Sequence, residues 1–209
     1  MRDRRALSLA SDAGTARHRV PVHSHLVQFY RSEAYLAGAV SGFFAKGFRQ
    51  GNPMIVIATP ERHELIANCL AARDIDLAPA ISSEQFIRCD AYELLSSFMV
   101  SSMPDPDRFN SAIGKIVDAA RQGREDMCVL AYGEMVDILW RRGQCEAAMR
   151  LEELWTEFIS HLSIELFCAY AINAFRKAKQ YDPNDRTLDA AIDRSQKGIV
   201  AEFLNRYRR

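Results

Sequence analysis

Pro53-Met54-Ile55-Val56-Ile57-Ala58-Thr59-Pro60-Glu61 carries the decision about the fold. Its first part is a continuous apolar run. A run this short and this apolar fits a strand covered on both faces, as in a parallel sheet. Its second part is a helix start. Thr59 offers a cap hydroxyl, Pro60 suits the first turn, and Glu61 sets an acid at the positive end of the helix dipole. The cap alone contributes about 1 kcal/mol. A covered strand that feeds straight into a capped helix is the repeating unit of an alternating α/β fold.

Outward from this stretch the same alternation recurs. Apolar runs at about Leu26 to Tyr30, Gln85 to Cys89, Met127 to Ala131 and Ile164 to Ala169 predict further strands. Ser32 can cap a helix reaching about Arg49, with Leu36, Val40, Phe43 and Phe44 along one side and Gly51 as its stop. The helix after Thr59 is expected to run to about Arg73. Tyr92 to Gln122 reads as two helices broken at Pro104 and Pro106. Glu134 to Arg141 looks helical, Gly143 ends it, and Glu146 to Leu162 forms the next helix. The fold class is therefore α/β: a three-layer sandwich with a mainly parallel central sheet of about five strands. The pattern does not give the strand order. Residues 1–20 are expected to be a disordered arm and 21–175 the α/β domain. The segment 176–209 reads as a linker and an amphipathic C-terminal helix, with Leu188, Ile192, Ile199 and Phe203 as a candidate partner-binding stripe.

Composition narrows the function classes. The 209 residues carry 27 Lys plus Arg and 27 Asp plus Glu, so the formal net charge is zero. Phosphate neutralisation normally demands a basic excess, so direct nucleic-acid binding is not expected. The five cysteines form no CxxC pair and are expected to be reduced thiols in a cytoplasmic protein. No histidine pairs with a cysteine at ligand spacing, so no metal site is expected. No apolar stretch approaches the roughly 20 residues that span a bilayer, and the Arg-rich N-terminus has no apolar signal core.

In open parallel sheets ligands bind outside the carboxyl ends of the strands. The residues expected there are Tyr30, Thr59, Tyr92, Tyr132 and Tyr170, so four of the five strand ends carry tyrosine. Tyrosine suits a binding rim because it combines apolar area with a polar tip. Glu134 follows Tyr132-Gly133 directly and joins the candidate ligand site, as does His25 at the start of the first strand. Neither a G-x-x-x-x-G-K-[ST] loop nor a G-x-G-x-x-G turn occurs, and Glu61 would repel phosphate at the helix after Thr59. The expected ligand is an uncharged or aromatic organic molecule. No cofactor and no catalytic constellation of nucleophile, base and orienting acid is expected.

These residues also carry a family resemblance. His25-Leu-Val-Gln-Phe-Tyr30 resembles the opening motif of the MEDS domain, the methanogen/methylotroph sensory domain. Gly47-Phe-Arg-Gln-Gly51 followed by Pro53 to Thr59-Pro60-Glu61-Arg62 is similar to its next block. Tyr132-Gly133-Glu134-Met135-Val136-Asp137 with Leu139-Trp140 is similar to its central motif. Leu151-Glu152-Glu153-Leu154-Trp155 and Cys168-Ala169-Tyr170 are similar to its closing blocks. The resemblance implies a sensory module related to RecA-like, KaiC-type folds but without their phosphate loop. It further implies response to small molecules such as hydrocarbon derivatives, and association with histidine kinases or transcriptional regulators. No histidine follows His161, so output is expected through a partner protein or a homodimer. Two other readings compete: an adaptor without a small ligand that works through its C-terminal helix, and a residual nucleotide-binding protein suggested by Glu134.

Overall fold

The expected runs pair into one sheet in a computed structural model that describes residues 23–172. The strands are β1 (Ser24–Tyr30), β2 (Met54–Ala58), β3 (Phe86–Asp90), β6 (Val129–Gly133) and β7 (Ile164–Ala171), all parallel, in the order β1-β7-β6-β2-β3. A short antiparallel pair, β4 (Met99–Val100) and β5 (Met103–Pro104), stands apart from the sheet. The helices are α1 (Glu33–Gln50), α2 (Pro60–Ala71), α3 (Ala78–Ser82), α4 (Ala91–Phe98), α5 (Pro106–Arg121), α6 (Met135–Arg141) and α7 (Cys145–Ile159).

The caps form as their residues dictate. The Ser32 side chain accepts from the Tyr35 N–H, and the Thr59 side chain from the Arg62 N–H. Gly51 closes α1 at φ 74°, a left-handed conformation that a Cβ would strain. Asp90 and Asp105 cap α4 and α5 in the same way. The break between those two helices is the β4–β5 pair, whose Pro104 needs no donor. Some boundaries shift: the helix after Thr59 ends at Ala71 rather than Arg73, the helix expected to reach Leu162 ends at Ile159, and the fourth strand begins at Val129 rather than Met127. Met127 N–H donates to the Arg124 carbonyl at 3.0 Å, so this segment is spent on a turn before the strand begins.

Alternation along the strands builds two cores. Tyr30, Val56, Tyr132, Phe167 and Ala169 face α1 and α2. Phe29, Ile55, Ile57, Ala131, Leu166, Cys168 and Tyr170 face the layer formed by α4, α5, α6 and α7. This is a three-layer sandwich. The chain runs from β1 through β2 to β3 along the first face and returns through β6 to β7 along the second. The helices after β2 and β6 therefore leave neighbouring strands toward opposite faces. That pair of strand ends is the topological switch point, where open α/β sheets place their crevice. No helix among the described residues is long and apolar enough to cross a membrane. The arm 1–20 and the stripe Leu188, Ile192, Ile199 and Phe203 lie outside the described residues.

Candidate functional site

At the switch point the crevice is filled by the protein's own carboxylate. Glu134 follows β6, and its Oε2 accepts the Thr59 backbone N–H at 2.8 Å. This donor is at the N-terminus of α2, the place where a helix would hold a phosphate. The other oxygen of Glu134 takes two hydrogen bonds from the Arg62 guanidinium, at 3.3 and 3.1 Å. Glu134 and Arg62 are both buried, at 5% and 4% exposure. Burying either charge alone would cost several kcal/mol, so each holds the other in place.

Arg62 extends this pair to Tyr30. Its Nη2 donates to the Tyr30 hydroxyl at 3.0 Å, and its guanidinium lies 5.3 Å from the Tyr30 ring centroid. The Tyr30 hydroxyl donates to Asp137 Oδ2 at 2.8 Å. Arg141, one helical turn after Asp137 on α6, donates to that same oxygen at 2.8 Å and also to the Tyr30 hydroxyl. Asp137 Oδ1 accepts the Ala171 N–H at 2.8 Å, which ties α6 to the end of β7. Glu33 in the first turn of α1 closes the ring by pairing with both Arg62 and Arg141. It is the outermost member, with its side chain 49% exposed, and Arg141 is nearly as open at 42%.

The electrostatics follow from this burial. Burial, and then the Asp137 carboxylate, push the Tyr30 phenol well above the ordinary tyrosine range. Burial also raises the Asp137 carboxyl, against the opposing pull of the Ala171 N–H and Arg141. Five residues with three negative and two positive charges thus surround one neutral phenol. The ring touches β1, α1, α2, α6 and β7, so displacement of any member is felt by several elements.

The candidate residues divide between places. Tyr30, Thr59 and Glu134 meet in this network. Tyr132 lies on the same face of the sheet but inside the core, fully buried, and its hydroxyl has no hydrogen-bond partner among the described residues. Tyr170 faces the opposite layer, where its hydroxyl donates to Glu152 Oε1 at 2.6 Å. His25 also faces that layer, near the other end of β1, beside Glu152, Thr156 and Cys168. Tyr92 is exposed at this edge, at 46%, with the Arg142 guanidinium 5.3 Å from its ring centroid. Glu33, Arg62, Asp137 and Arg141 were not among the expected site residues, although Arg62 and Asp137 stand in blocks that carry the family resemblance. One signal was available: Asp137 and Arg141 stand at i,i+4 on an expected helix, a spacing that favours pairing. An open groove of about 460 Å³ lies elsewhere, along the free edge of β3 between Ile87 and Ile116.

Comparison with known proteins adds one match. The family model described as MEDS: MEthanogen/methylotroph, DcmR Sensory domain matches residues 24–182. No curated protein matches the chain. No solved structure matches it either.

Proposed function

From the premise that the chain belongs to the MEDS family of sensory domains, we propose that it is a non-catalytic sensor whose ligand is a small organic molecule bound at the carboxyl edge of the sheet. The observation that carries this reading is the ring of charge around Tyr30. Its outer carboxylate, Glu33, is half exposed and holds two guanidiniums that a ligand could also use. A ligand bearing a carbonyl, carboxylate or other acceptor would replace Glu33 on Arg62 and Arg141 and release the start of α1. Exposed Tyr92 offers apolar area on the same edge. A coupling of roughly 1–3 kcal/mol between this exchange and a surface elsewhere is enough for a useful signal.

A nucleotide is a poorer fit. The donor that would meet a phosphate, the Thr59 N–H, already holds the Glu134 carboxylate, and a phosphate there would face that negative charge at close range. We read the output as passing to a separate signalling protein, a histidine kinase or a transcriptional regulator, or to a second copy of the chain. The five free cysteines support a reducing, cytoplasmic setting.

The test is a thermal-shift screen of small carbonyl, carboxylate, halogenated and aromatic compounds on the wild-type protein, Tyr30→Phe and Glu33→Gln. Hits should weaken at least tenfold in Tyr30→Phe and tighten in Glu33→Gln, which removes the competing charge. Hits that bind all three proteins equally would place the site elsewhere. Turnover of any hit would overturn the non-catalytic reading.

A further inference from the structure

A second cluster of chemically active side chains lies on the other face of the sheet, about 16 Å along β1 from Tyr30. In the parallel pairing of β1 with β7, Val27 stands opposite Cys168, which sets His25 and Cys168 diagonally on the face that α7 covers. From α7, Glu152 and Thr156 reach the same spot. His25 Nδ1 is 3.3 Å from Thr156 Oγ1. The Thr156 hydroxyl spends its hydrogen on the Glu152 carbonyl at 2.9 Å, so it offers His25 only a lone pair. This arrangement favours the ring hydrogen on Nδ1, the tautomer of the neutral imidazole that leaves Nε2 as a bare donor of electrons.

Nε2 lies 3.3 Å from Cys168 Sγ and 3.0 Å from Glu152 Oε2. Glu152 is 1% exposed, and its Oε2 accepts no hydrogen bond among the described residues, although its Oε1 is held by the Tyr170 hydroxyl at 2.6 Å. With Nε2 bare of hydrogen, two lone pairs would face each other across 3.0 Å in a nearly dry site. A positive species between them is what makes this contact favourable.

We propose that His25 Nε2, Glu152 Oε2 and Cys168 Sγ form a site for a borderline-soft divalent cation of the zinc class. The spacing fits. Tetrahedral zinc at ordinary bond lengths sets nitrogen and oxygen ligands about 3.3 Å apart, and nitrogen and sulfur about 3.5 Å apart. The observed separations are within a few tenths of these values, and all three ligand atoms lie within 4.8 Å of one another. A thiolate, an imidazole and a single carboxylate select zinc or cobalt over calcium or magnesium, which prefer all-oxygen cages. Thr156 on the far ring nitrogen and Tyr170 on the far carboxylate oxygen are the outer partners that fix ligand orientation in metal sites. The His25 side chain keeps 11% exposure, which leaves a way in and a solvent-supplied fourth ligand. Burial, and then the Glu152 charge, hold the metal-free Cys168 as a thiol, so loading releases its proton to solvent.

The test loads the full chain, reduced and stripped with chelator, with Co²⁺ and separately with Zn²⁺. One Co²⁺ should bind per chain and produce a thiolate-to-cobalt charge-transfer absorption, which Zn²⁺ should displace and Mg²⁺ should not. Cys168→Ala should abolish the absorption, and Thr156→Val should weaken binding about tenfold while keeping it. Should Cys168→Ala fail to fold, mass spectrometry decides on the wild-type protein. Because Cys168 is buried, alkylation is followed in mild denaturant, and a Cys168 rate that falls on adding Zn²⁺ relative to the chelator-treated protein supports the site. Absorption that survives Cys168→Ala, a Cys168 alkylation rate that Zn²⁺ leaves unchanged, or no bound metal overturns it and leaves a proton on Nε2 as the species between His25 and Glu152.

Discussion

Tyr30 and Tyr132 share one face of the sheet, yet their hydroxyls meet different surroundings. Tyr30 serves Asp137, Arg62 and Arg141 at once, whereas the Tyr132 oxygen is buried without a partner among the described residues. A buried hydroxyl without a hydrogen bond costs roughly 1–3 kcal/mol, and a hydrogen bond to a charged group is worth about 1.5–3 kcal/mol. Tyr132→Phe is therefore expected to leave stability unchanged or raise it by up to about 1 kcal/mol, while Tyr30→Phe should lower it by about 2–3 kcal/mol. Urea midpoints of the two variants check this, and a clear loss in Tyr132→Phe would show that its hydroxyl has a use. The tyrosine spacing was legible in the sequence, but the surroundings of each ring were not. A strand beginning at Val129 instead of Met127 sets Tyr132 within the strand instead of just past its end. Nothing in the local pattern marks Arg62, Asp137 or Arg141 as buried, although the first two stand in blocks that carry the family resemblance. Their burial depends on partners from segments far away in the chain, which local pattern does not report.

Elements that are decided locally were the most legible. All five strands begin within about two residues of the expected positions, because each is an apolar run bounded by a cap or a turn. The short helix α3 and the β4–β5 pair went unread, since each is too short for a hydrophobic pattern to recur. Helix α1 is itself imperfect by propensity. Gly38 lies in its interior, and a Cβ added there meets nothing within 4 Å; the same holds for Gly114 in α5. Gly38→Ala and Gly114→Ala should each raise stability by about 0.5–1 kcal/mol, because alanine lowers the backbone entropy lost on folding. Thr59→Ala should lower it by about 1 kcal/mol through loss of the α2 cap. Thermal midpoints report all three. A destabilising Gly38→Ala would mean that the close approach of Arg73, which donates to the Gly38 carbonyl at 3.3 Å, is disturbed by the added methyl.

At the scale of the molecule, β7 inserts between β1 and β6, so the last strand stitches the first to the centre of the sheet. Nothing local encodes this order. The crossovers advance on one face and return on the other, which is what a single crossover hand requires of this order. The insertion buries the ends of β1 and β6, and with them the phenols of Tyr30 and Tyr132, both held above the ordinary tyrosine range by burial first and nearby carboxylates second. The sign of the pH dependence is then fixed. Above about pH 10 the unfolded chain releases these two protons while the folded protein keeps them, so stability falls as pH rises. Each retained proton contributes about 1.4 kcal/mol per pH unit, or roughly 2.7 kcal/mol per unit for the pair, enough to exhaust an ordinary domain's stability within a few units. Alkaline unfolding should therefore be cooperative, with tyrosinate absorbance of these two rings appearing together with the loss of circular dichroism. In the double variant Tyr30→Phe with Tyr132→Phe, stability measured by urea should fall with pH less steeply by that amount. Smooth ionisation of all seven tyrosines near pH 10 with the fold intact would contradict the burial of both phenols.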